Sequence, residues 1–267
     1  MKYSVQLPTR YGDFIMNRND YHQPVAILRT GAPHIDAEIQ LILSLADLLP
    51  AGALAIDAGA NIGLVSIPLA QRLAAKGGRV LAFEPQRLIY YMLAGNTALA
   101  GLENLICQQL APGDAESTVM VPRLDPQVGQ DFGMVSLVGS GSGDEGDPVL
   151  QVTIDTLGLN QLDFLKIDVE HMELAVLNGA AATIERFSPM IWIEVWPEHY
   201  REIHAWLLAR GYTMYIADDL NFCAVPHARQ EEFQIDGDVF DGINHPSWRC
   251  LDDGSYLHVS NIPEETA

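Results

Sequence analysis

The stretch of sequence that decides the fold is residues 57–63, which read Asp-Ala-Gly-Ala-Asn-Ile-Gly between a short apolar run and a helical pattern. Glycines in such a strand-to-helix turn let the backbone approach a ligand closely, and the start of the helix offers N–H groups to a carboxylate or a phosphate. The glycines Gly59 and Gly63 are spaced G-x-x-x-G, whereas a dinucleotide-binding turn has the pattern G-x-G-x-x-G. This spacing disfavours a pyrophosphate, and Asp57 at the end of the strand indicates a cationic partner such as an amino group. A ligand with both an α-amino group and an α-carboxylate would satisfy the whole turn.

Outward from this turn, apolar runs typical of buried strands alternate with helical patterns. The predicted strands of the main body are residues 53–57, 80–83, 105–110, 162–169 and 190–195. Strands separated by helices of this length predict an α/β fold, with a mostly parallel sheet and helices on both faces. Two further runs, residues 211–216 and 221–225, predict a hairpin that adds antiparallel pairing near the C-terminal end.

The chain divides into a main domain, residues 51–225, and two extensions. Residues 1–50 predict an N-terminal extension of irregular or short-stranded chain, followed by a helix from Asp36 that packs on the core. Residues 226–267 form an acidic C-terminal extension.

The main domain carries an insertion around residues 114–151. Its β-like pieces, 118–121 and 134–138, precede a run of Gly, Ser and Asp at 139–147, which predicts a loop. That loop is either a mobile insertion or a lid over a substrate. We expect the substrate to be selected by residues 123–150 and by the C-terminal extension.

Composition narrows the possible partners. The chain has 267 residues and a net charge of −20, and its few basic residues are scattered. Such a charge disfavours nucleic-acid binding. The three cysteines favour a reducing compartment, and no apolar run reaches the roughly 20 residues of a membrane span. We therefore expect a cytoplasmic protein that binds neither nucleic acid nor membrane, and the sequence does not fix its oligomeric state.

A second motif, Phe83-Glu84-Pro85, ends the next strand of the pattern. An acid about 20 residues after a glycine turn accepts hydrogen bonds from ribose hydroxyls in nucleotide-binding βαβ units. The alternative is an acid that caps the helix after Pro85. Together with the glycine turn, Glu84 predicts a ligand that joins an amino acid to a ribose. S-Adenosyl-L-methionine has this shape, and NAD is the alternative cofactor.

A third motif is Lys166-Ile167-Asp168-Val169-Glu170 at the end of the fourth parallel strand. Its charged residues alternate along the strand and so share one face. Charges on a buried strand are costly unless they are paired or functional, and open α/β sheets bind ligands at this end. We therefore expect Lys166 to pair with Asp168, and Asp168 to lie at the site.

Taken together, these motifs resemble the FkbM-type methyltransferases. The similarity also includes Gly12-Asp13-Phe14, Glu38, Asn96, Leu102-Glu103-Asn104 and residues 153–157. The resemblance implies a Rossmann-like class I methyltransferase fold with a seven-stranded sheet and S-adenosyl-L-methionine as cofactor. It also implies O-methylation of a small molecule such as a sugar or another natural product.

The resemblance further assigns roles to single residues of the cofactor site. Asp57, Gly59, Asn61 and Gly63 would surround the methionine part, the Glu84-Pro85 pair would hold the ribose, and Asp114 would lie near the adenine. Asp168 and Glu170 would border the reacting groups.

Three further residues are candidates for catalysis. The family usually has glycine where this chain has His171, which is either a general base or an exposed helix residue. Glu194 ends the fifth strand and faces the same crevice, and His199 follows it. A divalent metal at Asp168, Glu170 and Glu194 is possible, but none is predicted.

Other questions stay open at this stage. Trp192 and Trp196 line an acceptor pocket or belong to the core. The alternative functions are methylation of nitrogen or of a carboxyl group in a peptide or metabolite, a NAD- or nucleotide-dependent enzyme, and a non-catalytic binding module.

Overall fold

The computed structural model describes residues 2–133, 146–232, 237–251 and 255–258. In chain order its strands are β1 (Ser4–Thr9), β2 (Gly12–Asn17), β3 (Leu54–Ala58), β4 (Arg79–Phe83), β5 (Leu105–Gln108), β6 (Ala111–Pro112), β7 (Ser117–Pro122), β8 (Gly146–Val152), β9 (Phe164–Ile167), β10 (Met190–Glu194), β11 (Tyr212–Ile216), β12 (Asn221–Pro226), β13 (Trp248–Cys250) and β14 (Tyr256–His258). The α-helices are α1 (Gln23–Thr30), α2 (Asp36–Asp47), α3 (Ser66–Ala74), α4 (Arg87–Leu99), α5 (Glu173–Gly179), α6 (Ala181–Phe187) and α7 (Tyr200–Leu208).

The centre of the molecule is a seven-stranded sheet in the order β11-β12-β10-β9-β3-β4-β5. Strands β10, β9, β3, β4 and β5 pair in parallel, and β12 runs antiparallel to both β10 and β11. The prediction of a mostly parallel α/β sheet with an antiparallel strand near the C-terminal end is confirmed. Both faces of β3 are buried, which is why its sequence is an apolar run rather than an alternation.

The strand order fixes where a ligand can bind. From β3 the chain passes to β4 on one side, and it later returns to β9 on the other side of β3. This reversal is the topological switch point of an open α/β sheet, where a crevice forms at the carboxyl ends of the strands. Residues 57–63 and 166–170 both lie at this edge.

The N-terminal segment is more ordered than the sequence pattern predicted. Strands β1 and β2 form a hairpin, and Phe14 and Met16 are buried in the main core. The side chain of Asn96 on α4 holds this hairpin: its Oδ1 accepts from the N–H of Ile15 at 2.6 Å, and its Nδ2 donates to the carbonyl of Ile15 at 2.9 Å. The helix α1 was not predicted.

The insertion contains a small second sheet in the order β6-β8-β7. The predicted piece at 118–121 lies in β7. Gly146 and Asp147, assigned to a loop from composition, instead begin β8, where Asp147 accepts hydrogen bonds from Arg87 and Arg123, each at 2.7 Å. The predictions for 134–138 and for the rest of the Gly/Ser/Asp run, 139–145, lie outside the described residues.

The described part of the C-terminal extension covers the outer edge of the main sheet. Val239 forms a bridge with Tyr215 on β11, and Phe240 is buried against Tyr200 and Phe222. Within the described ranges, no helix combines the length and apolar character that a bilayer crossing requires.

Candidate functional site

A cavity of about 430 Å³ opens at the carboxyl edge of the sheet. Residues at the ends of four parallel strands line it: Asp57 on β3, Glu84 after β4, Asp168 after β9 and Glu194 on β10. The N-terminal segment adds His22, His34 and Glu38, and the insertion adds Asp131 and Phe132. The volume lies in the range of about 300–1,000 Å³ that is typical of small-molecule sites.

The glycine turn forms the floor of the cavity through an unusual backbone path. Gly59, Asn61 and Gly63 have φ of +85°, +49° and +91°, in the left-handed region that glycine and asparagine tolerate best. A Cβ on Gly59 would lie 1.7 Å from the carbonyl oxygen of Asp168, so no side chain fits between the turn and the end of β9. The backbone of the turn and the backbone of Asp168 therefore approach each other closely at Gly59.

The N–H groups of the turn are already used within the protein. Gly59 and Ala60 both donate to the carbonyl of Phe83, at 3.0 and 2.9 Å. The N–H of Asn61 donates to Glu84, and that of Ile62 to the side chain of Asn61. These bonds fix the turn, so a ligand carboxylate must find its donors elsewhere along the cavity wall.

Glu84 is placed at the end of β4 by two backbone bonds. Its Oε2 accepts from the N–H of Asn61 at 2.9 Å and its Oε1 from the N–H of Gln86 at 2.8 Å. Burial raises the pKa of Glu84 to about 7, although these two hydrogen bonds oppose the shift. Each carboxylate oxygen has a further lone pair for a ribose hydroxyl.

Asp57 and Lys166 form a buried charged network beneath the cavity. Lys166 Nζ donates to Asp168 Oδ2 at 2.9 Å and lies 3.5 Å from Asp57 Oδ1. The other oxygen of Asp57 accepts a short hydrogen bond from Ser66 Oγ at 2.5 Å. The predicted pairing of Lys166 with Asp168 is thus present, and it extends to Asp57.

Within this network, one oxygen of Asp57 has an ion-pair contact with Lys166 but no hydrogen bond in the described chain. Asp57 is fully buried, and its Oδ1 has no hydrogen-bond partner among the described residues. Burial raises the pKa of Asp57, while Lys166 and Ser66 lower it. A buried carboxylate oxygen that lines a cavity is a suitable acceptor for the α-amino group of an amino-acid ligand.

Three carboxylates gather where β9 and β10 end. Atoms of Asp168, Glu170 and Glu194 lie within 4.8 Å of one another, an arrangement that could hold a divalent cation. Burial and the neighbouring carboxylates raise the pKa of Glu170 to about 8 and that of Glu194 to about 10. Crowded acidic groups, whose protonated forms are favoured at neutral pH, are therefore the main electrostatic feature of this wall.

His171 and His199 lie beside the cavity rather than in its lining. The ring of His171 stacks on Trp196 at 5.1 Å and approaches His199 at 6.0 Å, and its Nδ1 lies 3.6 Å from Glu198. Atoms of His171, Glu198 and His199 also lie within 4.8 Å of one another. Neither histidine is among the described residues that line the cavity, so the structure does not bring these two candidate bases to the site.

The other sequence-derived candidates divide between core and cavity. Trp192 belongs to the core, where its indole N–H donates to Glu38 at 3.2 Å and to Asn221 at 3.1 Å, whereas Trp196 lines the cavity. Pro85 lines the cavity beside Glu84. Asp114 is exposed and is not part of the described lining, so its expected position near an adenine has no support in its placement.

Several lining residues had no assigned role in the sequence. Glu38 is buried, and burial raises its pKa to about 7. His22 lies 3.3 Å from Asp131 and stacks on His34 at 5.4 Å. We expected the C-terminal extension to help select the substrate, but no described residue after Asn221 lines the cavity. The N-terminal segment lines it instead, through contacts between distant parts of the chain that no local pattern encodes.

The sheet order and the cavity at its carboxyl edge define a Rossmann-like fold of the class I methyltransferase type. The family described as the methyltransferase FkbM domain matches residues 57–214, more than half of the chain. The chain therefore belongs to the FkbM methyltransferase family.

Similar proteins are also described as methyltransferases. Methyltransferase sdnD of Sordaria araneosa is 29% identical over 198 residues, which cover 61% of this chain and 75% of that protein. Among solved structures, methyltransferase FkbM from Methylobacillus flagellatus KT has a TM-score of 0.44 and 21% identity, covering 66% of this chain and 44% of that chain. A SAM-dependent methyltransferase from Aquifex aeolicus has a TM-score of 0.43 and 13% identity, covering 76% of this chain and 96% of that chain.

Proposed function

We propose that this methyltransferase uses S-adenosyl-L-methionine to methylate a hydroxyl group of a small-molecule acceptor. The observation that carries the cofactor proposal is the position of two buried acids beside the same glycine turn. Asp57 Oδ1 is a buried acceptor without a hydrogen bond, and Glu84 lies at the end of the neighbouring strand. Asp57 is suited to accept a hydrogen bond from an α-amino group, and Glu84 is suited to accept hydrogen bonds from ribose hydroxyls.

The residues divide into those that would bind the donor and those that would face the acceptor. Asp57, Glu84 and the backbone of the glycine turn would bind and orient S-adenosyl-L-methionine. Bound there, this cofactor would supply an electrophilic methyl group on a positively charged sulfur. Asp168 and Glu170 would border the reacting groups, and the surrounding walls would exclude water and align the acceptor oxygen.

An acceptor hydroxyl must also lose its proton during transfer. The groups that line the cavity and could accept this proton include the carboxylates of Asp168 and Glu170 and the imidazoles of His22 and His34. His22 is the best oriented of the imidazoles, because Asp131 lies 3.3 Å from its Nε2. The net charge of −20 supports a small-molecule acceptor over a nucleic acid.

Calorimetry with S-adenosyl-L-methionine, S-adenosylhomocysteine and NAD tests the cofactor. We expect both sulfur ligands to bind and NAD not to bind. At about pH 8, Glu84→Gln should weaken both sulfur ligands about 10- to 100-fold, because it removes a charged acceptor of ribose hydrogen bonds. The exposed Glu103 provides the matched control, since Glu103→Gln makes the same chemical change away from the cavity.

The outcomes separate the alternatives. Binding of NAD by folded protein that binds neither sulfur ligand would overturn the proposal. Once an acceptor is found, alkali distinguishes the product: an ether methyl group survives, whereas a carboxyl methyl ester releases methanol. Cofactor binding without turnover on any acceptor would indicate a binding module.

A further inference from the structure

Two polar atoms at the end of β10 are buried and unsatisfied. Glu194 Oε2 and Trp196 Nε1 have no hydrogen-bond partner in the described chain, and both residues line the cavity. Burying a polar atom without a partner destabilises the fold, so native proteins rarely leave one without a reason. Trp196 Nε1 is a donor, whereas a carboxyl oxygen such as Glu194 Oε2 accepts when the group is ionised and can accept or donate when it is protonated.

A hydroxyl group is the simplest ligand that satisfies both atoms. It donates one hydrogen bond and accepts others, whereas an ammonium group only donates and a carboxylate only accepts. Because Glu194 and Trp196 are two residues apart at the strand end, they belong to the same wall of the cavity. His22, another lining residue, is already paired with Asp131 at 3.3 Å.

The described groups around these atoms offer no cation to an anionic ligand. Asp168 and Glu170 lie beside Glu194, within 4.8 Å between carboxylate atoms. Among the described lining residues, Lys166 is the only lysine or arginine, and its ammonium group is buried and engaged with Asp168 and Asp57. A phosphate or carboxylate on the acceptor would therefore lie beside acidic groups, without an uncommitted lysine or arginine among the described lining residues to neutralise it.

We infer that the wall formed by Glu194 and Trp196 is the acceptor subsite, and that it takes a hydroxyl-bearing molecule without phosphate or carboxylate groups. Glu194 Oε2 accepts from the hydroxyl and Trp196 Nε1 donates to it. This inference rests on the proposed function, because it treats the cavity as a site for methyl transfer. It excludes sugar phosphates and nucleotide-linked sugars as acceptors.

Ligand-observed NMR on protein saturated with S-adenosylhomocysteine and treated with EDTA tests the subsite. The probes share one ring and differ in charge: methyl glucoside is neutral, its uronate is anionic, and glucosamine is cationic. We expect the neutral and cationic probes to bind at millimolar concentration and the uronate to bind at least about tenfold more weakly. Equal or tighter binding of the uronate would overturn the inference, and so would no binding of either hydroxyl-rich probe.

Two variants test the contacts themselves. Trp196→Phe removes the indole N–H and should weaken binding of the neutral probe about three- to tenfold. Glu194→Met should weaken its binding by a similar factor. We expect the affinity for S-adenosylhomocysteine to be unchanged in both variants. Trp206→Phe is the matched control, because its indole N–H donates to Asn178 at 2.8 Å outside the cavity. Equal affinities in Trp196→Phe and Trp206→Phe would contradict the contact.

Two further results are distinguishable from these. Binding of the neutral probe only after magnesium is added would assign Glu194 to a cation and overturn the direct contact. A failure of S-adenosylhomocysteine to bind at all would instead refute the proposed function, since that titration precedes the probes.

Discussion

At the scale of single residues, His171 has a backbone conformation that glycine adopts more readily than any other residue. Glu170 and His171 have φ of +52° and +73°, in the left-handed region where side chains are strained. Two contacts offset that strain for His171: its ring stacks on Trp196, and its Nδ1 lies 3.6 Å from Glu198. These contacts hold the imidazole of His171 beside Trp196 and Glu198.

The comparison of two variants at this position measures the strain. His171→Ala and His171→Gly lose the same side-chain contacts, but only alanine keeps a Cβ at φ of +73°. We expect the glycine variant to be more stable than the alanine variant by about 1 kcal/mol in denaturant unfolding. Alanine is the more stable residue wherever φ is compatible with it, so the opposite order would show that position 171 is unstrained in solution.

At the scale of elements, the contact between the glycine turn and the end of β9 brings the two halves of the site together. Gly59→Ala would place a Cβ 1.7 Å from the carbonyl oxygen of Asp168. Gly52 provides a matched control, because it has a similar φ of +76° and nothing within 4 Å of its added Cβ. Gly52→Ala should cost about 1 kcal/mol, and Gly59→Ala at least about 3 kcal/mol with loss of cofactor binding. Similar losses for the two variants would mean that backbone strain, and not this contact, sets the requirement for glycine.

The elements also show how far sequence alone can predict this molecule. The parallel strands and the pairing of Lys166 with Asp168 were predictable, because buried parallel strands are continuous apolar runs and buried charges need partners. The roles of Glu38, His22 and Asp131 were not, since each reaches the cavity only through packing between segments far apart in the chain. His171 and His199 follow the predicted strand ends, yet the ring of His171 stacks on Trp196 and approaches that of His199, and neither is among the described residues that line the cavity. Strand patterns predict which edge holds the site, but not which way a loop side chain points.

At the scale of the whole molecule, negative charge is concentrated in the cavity as well as on the surface. Burial raises the pKa of both Glu38 and Glu84 to about 7, and Asp57 and Asp168 raise these values further. Lys166 lowers the pKa of Glu38, whereas Asp218 raises it. At neutral pH these carboxyl groups therefore share protons with the solvent, and a cationic ligand would displace those protons.

Because ligand binding and proton loss by Glu38 and Glu84 are linked, cofactor affinity should depend on pH. S-Adenosyl-L-methionine carries one more positive charge than S-adenosylhomocysteine, so it should lower the pKa values of Glu38 and Glu84 more strongly and release more protons on binding. Its affinity relative to S-adenosylhomocysteine should then rise about three- to tenfold between about pH 6 and about pH 7.5, as the free protein loses the competing protons. Calorimetry in two buffers of different ionisation enthalpy counts the protons released, and Glu38→Gln should reduce that count for S-adenosyl-L-methionine. Equal proton release for the two ligands, with a constant affinity ratio, would show that the cavity carboxylates do not sense the charge on sulfur.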